Sequence, residues 1–141
     1  LPFKVTLKEL KARDYNKPFK FSCRELKHVD DDLGFRVEVD KKIITYCCDT
    51  GICRNDLILA KNSDILIHEC SLLSGQKEVW GHANPEQVAK LAKKAKVKKL
   101  ILTHFGAHLY LNNGLKKKSE KIAKKIFPNT RAAFDGLEVK I

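Results

Sequence analysis

Three residues at predicted strand ends, His28, Asp49 and His104, have the side-chain chemistry of ligands for a divalent metal ion. His28 lies just before an apolar strand segment, Asp49 follows the run Ile-Ile-Thr-Tyr-Cys-Cys, and His104 follows Leu-Ile-Leu-Thr. A strand end holds a side chain rigidly and leaves one side open to solvent, and imidazole and carboxylate groups suit Zn²⁺ or a similar ion. We therefore predict that these residues form part of a metal site, which needs further ligands.

The elements that position these residues change in character along the chain. A β-rich beginning gives way to alternating strands and helices, which is typical of one half of an αββα sandwich in the α/β (α+β) class. Asp40-Lys41 has the composition of a tight hairpin turn, and Asn84-Pro85 that of a helix start. The predicted strands are Phe3–Glu9, Phe19–Leu26, Gly34–Val39, Lys42–Cys47, Ile65–His68, Lys99–Leu102, Arg131–Phe134 and Leu137–Lys140. The predicted helices are Arg54–Lys61, Pro85–Lys96 and Leu115–Phe127.

Short motifs follow one another in a fixed order over nearly the whole chain. After His28 come a Gly-Phe strand at 33–38, Asp-Thr at 49–50, Asp-Ile-Leu-Ile-His-Glu at 64–69, Gly-His-Ala-Asn at 81–84, Leu-Thr-His-Phe at 102–105 and Ala-Phe-Asp-Gly at 133–136. By these motifs the chain resembles metal-dependent hydrolases of the metallo-β-lactamase fold, specifically the RNase Z-like group. That family also carries an upstream His-x-His-x-Asp-His motif, which this sequence lacks. With the absence of any Met, this implies that residues 1–141 form the C-terminal half of such a domain.

The resemblance implies a role for each candidate residue. His28 and His104 would each join ligands from the missing half on one of two divalent ions, most simply zinc, and Asp49 would bridge both ions. Glu69 and His82 would be catalytic, stabilising transition-state charge and protonating the leaving group, because a histidine held by a carboxylate can stay protonated near neutral pH. The alternative is that Glu69 caps a helix and His82 is an ordinary loop residue. For His68 and His108 we expect structural or merely exposed positions.

The expected function is that of a metal-dependent hydrolase, a phosphodiesterase or ribonuclease of RNase Z-like type. Two alternatives remain open, a catalytically inert half-domain that acts in assembly and an ester or lactone hydrolase of the same fold. Three departures weaken the assignment to tRNA processing in particular. Phe-Gly-Ala-His-Leu-Tyr at 105–110 lacks the Ser and Arg common in the family, Gly-His-Ala-Asn replaces Gly-His-Ser-Thr, and Glu-Cys stands where Glu-Ala-Thr is common.

Composition limits the location and the partners of the chain. Five cysteines without a Cys-x-x-Cys pair argue against a disulfide framework or a cysteine zinc finger, and no apolar run is long enough for a membrane helix, so we expect a cytoplasmic protein. We interpret Cys47 and Cys48 as small buried strand residues. The net charge of +11 would attract a phosphodiester such as RNA, although solvated faces of lysine-rich helices explain it more simply. The expected partners are the missing N-terminal half or a second copy of the chain.

Overall fold

A single mixed sheet of seven strands runs through the computed structural model, which describes residues 9–17 and 19–141. The strands lie side by side in chain order. The first four pair antiparallel, and β4, β5, β6 and β7 are parallel to one another. Their bounds are β1 Asp14–Tyr15, β2 Phe21–Glu25, β3 Leu33–Val39, β4 Lys42–Cys47, β5 Ile65–Glu69, β6 Lys99–Thr103 and β7 Thr130–Ala132.

Three helices complete the described fold: α1 Arg54–Ala60, α2 Pro85–Ala95 and α3 Asn113–Lys124. Helix α2 begins at a full capping box, in which Asn84 accepts a hydrogen bond from the amide of Gln87 and the Gln87 side chain accepts one from the amide of Asn84. Small buried residues of α2 pack it against the sheet, while its lysines point outward. The mixed α/β class predicted from the sequence is therefore confirmed.

Most predicted elements are present, and the differences lie near the ends of the chain. The segment predicted as a strand at Leu137–Lys140 is not one, because the chain turns at Gly136, where φ is +82° and the amide of Leu137 bonds to the carbonyl of Phe134. The seventh strand is Thr130–Ala132, shorter and earlier than predicted, and α3 starts at Asn113 because Asn112 caps it. Strand β1 was not predicted. The strand predicted at Phe3–Glu9 lies outside the described residues except for Glu9, which is not in a strand.

The helices cover one face of the sheet. That face includes Thr45, whose hydroxyl bonds to the carbonyl of Leu59 in α1, and Leu66 and Leu100, which belong to the core cluster formed with the helices. The opposite face consists mainly of apolar side chains, and none of them belongs to this described core cluster. We call it the open face. Its two cross-strand rows are Phe21, Val37, Ile44, Ile65 and Lys99, and Cys23, Phe35, Tyr46, Ile67 and Ile101.

Candidate metal centre

Three candidate residues stand at the carboxyl ends of the parallel strands. Asp49 lies two residues beyond β4, Glu69 is the last residue of β5, and His104 directly follows β6. Because these strands run in the same direction, their ends meet at one edge of the sheet. Both Asp49 and His104 have left-handed backbone conformations, with φ of 56° and 47°. Such conformations are unfavourable for residues other than glycine and concentrate at functional sites.

His28 comes from the antiparallel part of the sheet and is held at this edge by backbone pairing. Lys27, its neighbour, forms an isolated bridge with Gly51, in which the Gly51 amide lies 2.9 Å from the Lys27 carbonyl. The Lys27 amide in turn donates to the Thr50 hydroxyl at 3.2 Å. The loop that carries His28 is therefore tied to the segment that carries Asp49.

His82 is delivered by the loop between β5 and α2. Its neighbour Gly81 has φ of +78°, and a Cβ at this position would lie 2.5 Å from the carbonyl oxygen of Lys27 and 2.6 Å from the Cα of His28. Only glycine allows so close an approach of the two loops. Glu69 fixes the same loop, because its Oε1 accepts the amide of Ala83 at 2.6 Å.

Three histidines at this edge of the sheet converge on the carboxylate of Asp49. Its Oδ1 lies 3.4 Å from His28 Nε2 and 3.6 Å from His82 Nδ1, while its Oδ2 lies 3.6 Å from His104 Nε2. His82 Nδ1 is also 3.5 Å from Glu69 Oε1. Donor atoms within 4.8 Å of one another form two groups: His28, Asp49 and His82, and Glu69, His82 and His104. All five residues that the sequence singled out are thus brought together.

The donors present fit a divalent cation. His82 Nδ1 is buried and has no hydrogen-bond partner among the described residues, which is costly unless another group binds it. Burial lowers the pKa of His82, although the charge of Asp49 opposes this shift. A lowered pKa favours the neutral imidazole, which keeps one N–H hydrogen. The expectation that a carboxylate keeps His82 protonated stays a prediction, since burial and the charge of Asp49 act in opposite directions.

Ser71 is a functional residue that the sequence argument missed. Its hydroxyl donates to the carbonyl of His104 at 2.8 Å and lies 3.0 Å from His104 Nδ1. A hydroxyl has one hydrogen, so it must accept from Nδ1–H while it donates to the carbonyl. The lone pair of His104 then resides on Nε2, the atom that faces Asp49. The signal in the sequence was a hydroxyl two residues after the glutamate, in Glu-Cys-Ser.

Glu69 does not cap a helix. It is fully buried, its Oε2 accepts the amide of Ser71 at 2.6 Å, and its Oε1 accepts the amide of Ala83. Burial raises the pKa of Glu69, and the hydrogen bonds from Ser71 and Ala83 oppose that rise. This carboxylate therefore joins the segment after β5 to the loop of His82.

The remaining histidines and cysteines lie apart from the donor groups. His68 is buried in β5, and its Nδ1 contacts the carbonyl of Glu69 at 2.9 Å, in keeping with the predicted structural role. His108 is exposed at the rim of the site. Cys47 is buried in β4 as predicted, whereas Cys48 lies beyond the strand and is only half-buried.

An open cavity of about 660 Å³ adjoins the site. Besides the histidines and Asp49, it is lined by Val79, Trp80 and Phe105. Trp80 is 78% exposed and has φ of 53°. A donor cluster that opens into a partly apolar cavity has the form of a substrate site.

Similarity to known proteins agrees with this geometry. Residues 3–105 match the beta-lactamase superfamily domain. Ribonuclease Z of Bacillus licheniformis is 43% identical over 103 residues, which cover 71% of this chain and 33% of that protein. The metallo-beta-lactamase fold protein YhfI of Bacillus subtilis superimposes with a TM-score of 0.80 at 22% identity, over 91% of this chain and 52% of that one. Human short-form tRNase Z gives a TM-score of 0.66 at 25% identity, over 90% and 45%.

The chain belongs to the beta-lactamase superfamily, as its motifs led us to expect. Within it, the chain is similar in sequence to RNase Z proteins, and it spans about a third of the length of those relatives. The metallo-β-lactamase fold implies divalent metal cofactors. Among the described residues, no helix is both long and apolar enough to cross a membrane.

Proposed function

We propose that this chain supplies part of the metal site of a hydrolase of RNase Z-like type that cleaves phosphodiester bonds. The observation that carries the proposal is the convergence of His28, His82 and His104 on the carboxylate of Asp49 beside an open cavity. Four separate segments and two strained backbone positions are needed to produce it. A purely structural role would leave this costly arrangement without a reason.

His28, Asp49 and His104 would hold two divalent ions together with ligands from outside this chain. Imidazole nitrogen and carboxylate oxygen favour zinc, and a carboxylate with two oxygens facing different histidines is suited to bridging. Bound ions would lower the pKa of a water molecule and offset the charge that develops on a phosphodiester. Ser71 would keep the His104 tautomer that presents Nε2 to the site.

His82 would act on the substrate through an N–H group. A neutral imidazole still carries one hydrogen, so His82 can donate a hydrogen bond to the phosphoryl oxygens or to the departing oxygen without first becoming cationic. Glu69 would hold the His82 loop in place through the amide of Ala83. We thus assign His82 to the chemical step and Glu69 to holding His82 in position.

The test compares Asp49→Ala with His82→Ala in the native assembly of the protein. Bis(p-nitrophenyl) phosphate serves as the phosphodiester, and p-nitrophenyl acetate and an acyl lactone test the alternative ester and lactone chemistry. We expect Asp49→Ala to lose both metal and activity, and His82→Ala to retain metal while turnover falls by roughly 10²–10⁴-fold. Metal loss in His82→Ala would make it a ligand. Hydrolysis of the esters alone would reject the phosphodiesterase assignment.

We further propose that the open face is where the remainder of the metal site docks. Its side chains are mainly apolar. Tyr46 is 42% exposed, and Val39, further along β3 on the same side, is 47% exposed, whereas Cys23, Ile65 and Ile101 are already buried. Ribonuclease Z of Bacillus licheniformis extends well beyond the 103 matched residues, which are 33% of its length, so a further polypeptide accounts for both the exposed part of this face and the missing ligands. Packing between two sheets buries such faces.

Light scattering and native mass spectrometry of the purified protein test this docking. A co-purifying polypeptide that protects the open face from hydrogen exchange supports the proposal. A homo-oligomer burying the same face would replace that partner with a second copy. A stable monomer of 16.1 kDa that unfolds cooperatively would reject the half-domain interpretation, and an assembly without metal or activity would favour the inert assembly role.

A further inference from the structure

We propose that a basic groove between α3 and β7 binds the backbone of single-stranded RNA leading away from the metal centre. The groove has a volume of about 550 Å³. This inference rests on the proposed phosphodiesterase function and adds to it a surface for the part of the strand that lies outside the metal centre. Its lining includes Lys116, Lys117, Lys121, Lys124, Arg131 and Phe134.

Positive charge dominates this groove. Four lysines of α3 lie on one side, and Arg131 of β7 lies on the other. The carboxylate in the lining, Glu120, is already engaged, because its Oε1 pairs with Lys124 at 2.5 Å and its Oε2 accepts the amide of Ala132 at 2.8 Å. Lys124 is thereby compensated, and the other three lysines and Arg131 remain to contact a chain of phosphates, which exchanges condensed counterions for such contacts.

An aromatic ring in the groove distinguishes it from an ordinary lysine-rich helix face. Phe134 is 53% exposed, and the guanidinium of Arg131 lies 5.5 Å from its ring centre. Neither residue is near the α3 lysines in sequence, so the sequence alone suggested a lysine face without arginine or aromatic groups. Basic grooves that include an exposed aromatic ring are typical of single-strand binding, in which bases stack on the ring and the backbone follows the charges.

Lys116 links the groove to the candidate metal centre. Its Nζ lies 5.4 Å from the ring centre of Phe105, which lines the cavity at the site and follows His104 directly. Lys116 therefore belongs to the groove and also contacts the wall of the site cavity. A strand with one phosphate at the histidine cluster would pass Lys116 and enter the groove.

The experiment measures binding of a fluorescent oligouridylate to the protein in its native assembly, without added metal, as a function of salt. Lys116→Gln, Lys117→Gln and Lys121→Gln are combined in one variant. The control variant combines Lys90→Gln, Lys93→Gln and Lys94→Gln on α2, where exposed lysines remove the same net charge. We expect the groove variant to bind about 10–100-fold more weakly at 0.1 M salt, with a slope of log K against log salt reduced by about 2, since each phosphate contact contributes about 0.7.

A second pair of variants tests the aromatic ring. Phe134→Ala and Phe134→Leu are each expected to weaken oligouridylate binding by roughly tenfold or more while leaving inorganic polyphosphate binding unchanged, because only RNA has bases to stack. Thermal unfolding confirms that the variants are folded. Equal losses in the α2 and α3 lysine variants, or unchanged binding in the α3 variant, would overturn the proposal.

The readout separates this inference from the proposed function. Binding requires neither metal nor turnover. An inactive protein that still binds RNA through the groove would therefore reject the proposed hydrolase function and support the proposed RNA-binding groove. An active phosphodiesterase whose RNA affinity does not depend on the α3 lysines would support the proposed function and reject the groove.

Discussion

Replacing Ser71 with alanine removes a hydroxyl that links the strand β5 segment to His104. The hydroxyl makes two hydrogen bonds with His104, at 3.0 Å to Nδ1 and 2.8 Å to the carbonyl oxygen. Ser71 is only 4% exposed, whereas the His104 side chain is 42% exposed. Water can therefore reach the imidazole of the variant and replace part of the lost hydrogen bonding, and we expect the stability of the chain to fall by about 1–2 kcal/mol.

The effect on metal affinity should be separate from the loss of stability. Without Ser71 the hydrogen of His104 can move to Nε2, the atom that faces Asp49, and the ring can rotate. Loss of such a supporting contact typically lowers metal affinity by about 10–100-fold. The concentration of ion needed for a given stabilisation should rise by the same factor, because stabilisation depends on the ratio of ion concentration to Kd.

The assay is thermal unfolding over a series of Zn²⁺ concentrations, repeated with Mn²⁺ because thiols of the unfolded chain also bind zinc. Ser63→Ala is the matched control, since Ser63 is fully buried, bonds to Thr45 at 2.7 Å and precedes the other end of β5. It should lose stability but keep its ion dependence. The reasoning is refuted if Ser71→Ala responds to the same ion concentrations as the unaltered chain, or if Ser63→Ala shifts equally.

Three further predictions concern metal content, a buried charge and the His82 loop. Elemental analysis after dialysis should find less than stoichiometric zinc, because the site lacks ligands from outside the chain; a full equivalent would reveal unrecognised ligands. Burial raises the pKa of Asp56, so its neutral form is favoured in the folded state, and the stability it contributes below its unfolded pKa is lost as pH rises through its raised folded pKa. Asp56→Asn keeps an acceptor for the Cys53 amide and should therefore stabilise the chain at about pH 7 more than at about pH 4 in urea unfolding, whereas an equal effect at both would contradict this cause. Gly81→Ala should lower the thermal stability more than Gly75→Ala, since both have positive φ but only Gly81 has backbone within 3 Å; equal losses would show that the close approach to Lys27 is unimportant.

The central strands were predictable because each has a strong local signal. Lys42–Cys47 was predicted with the observed bounds, as an apolar β-branched run after a two-residue turn. Asp40 and Lys41 have φ of 49° and 63°, the backbone that a tight hairpin needs. At the two ends of the sheet the local sequence pattern does not predict the strands correctly. Strand β1 has two residues, and the apolar residues near the C-terminus follow a glycine turn instead of pairing.

The convergence of the site residues was also accessible from the sequence, since carboxyl ends of neighbouring parallel strands share an edge. The detailed contacts between the site residues could not be predicted from the sequence. The position of His82 between Asp49 and Glu69 depends on how closely Gly81 approaches Lys27, and loop paths of this kind are not encoded in periodicity. The basic groove was missed for a similar reason, because Phe134 and the α3 lysines meet only in three dimensions.

The hydrogen bonds of Glu69 limit which roles it can have in any reaction at this site. Both of its oxygens accept backbone amides at 2.6 Å, from Ser71 and from Ala83, and the side chain is fully buried. A carboxylate that moved a proton during turnover would weaken the two contacts that hold the loops of His104 and His82. Those loops include the left-handed positions at His104 and Trp80, which need surrounding contacts to persist. Glu69 therefore serves the site best as a fixed acceptor that offsets local strain, and proton transfer is left to groups that face the cavity.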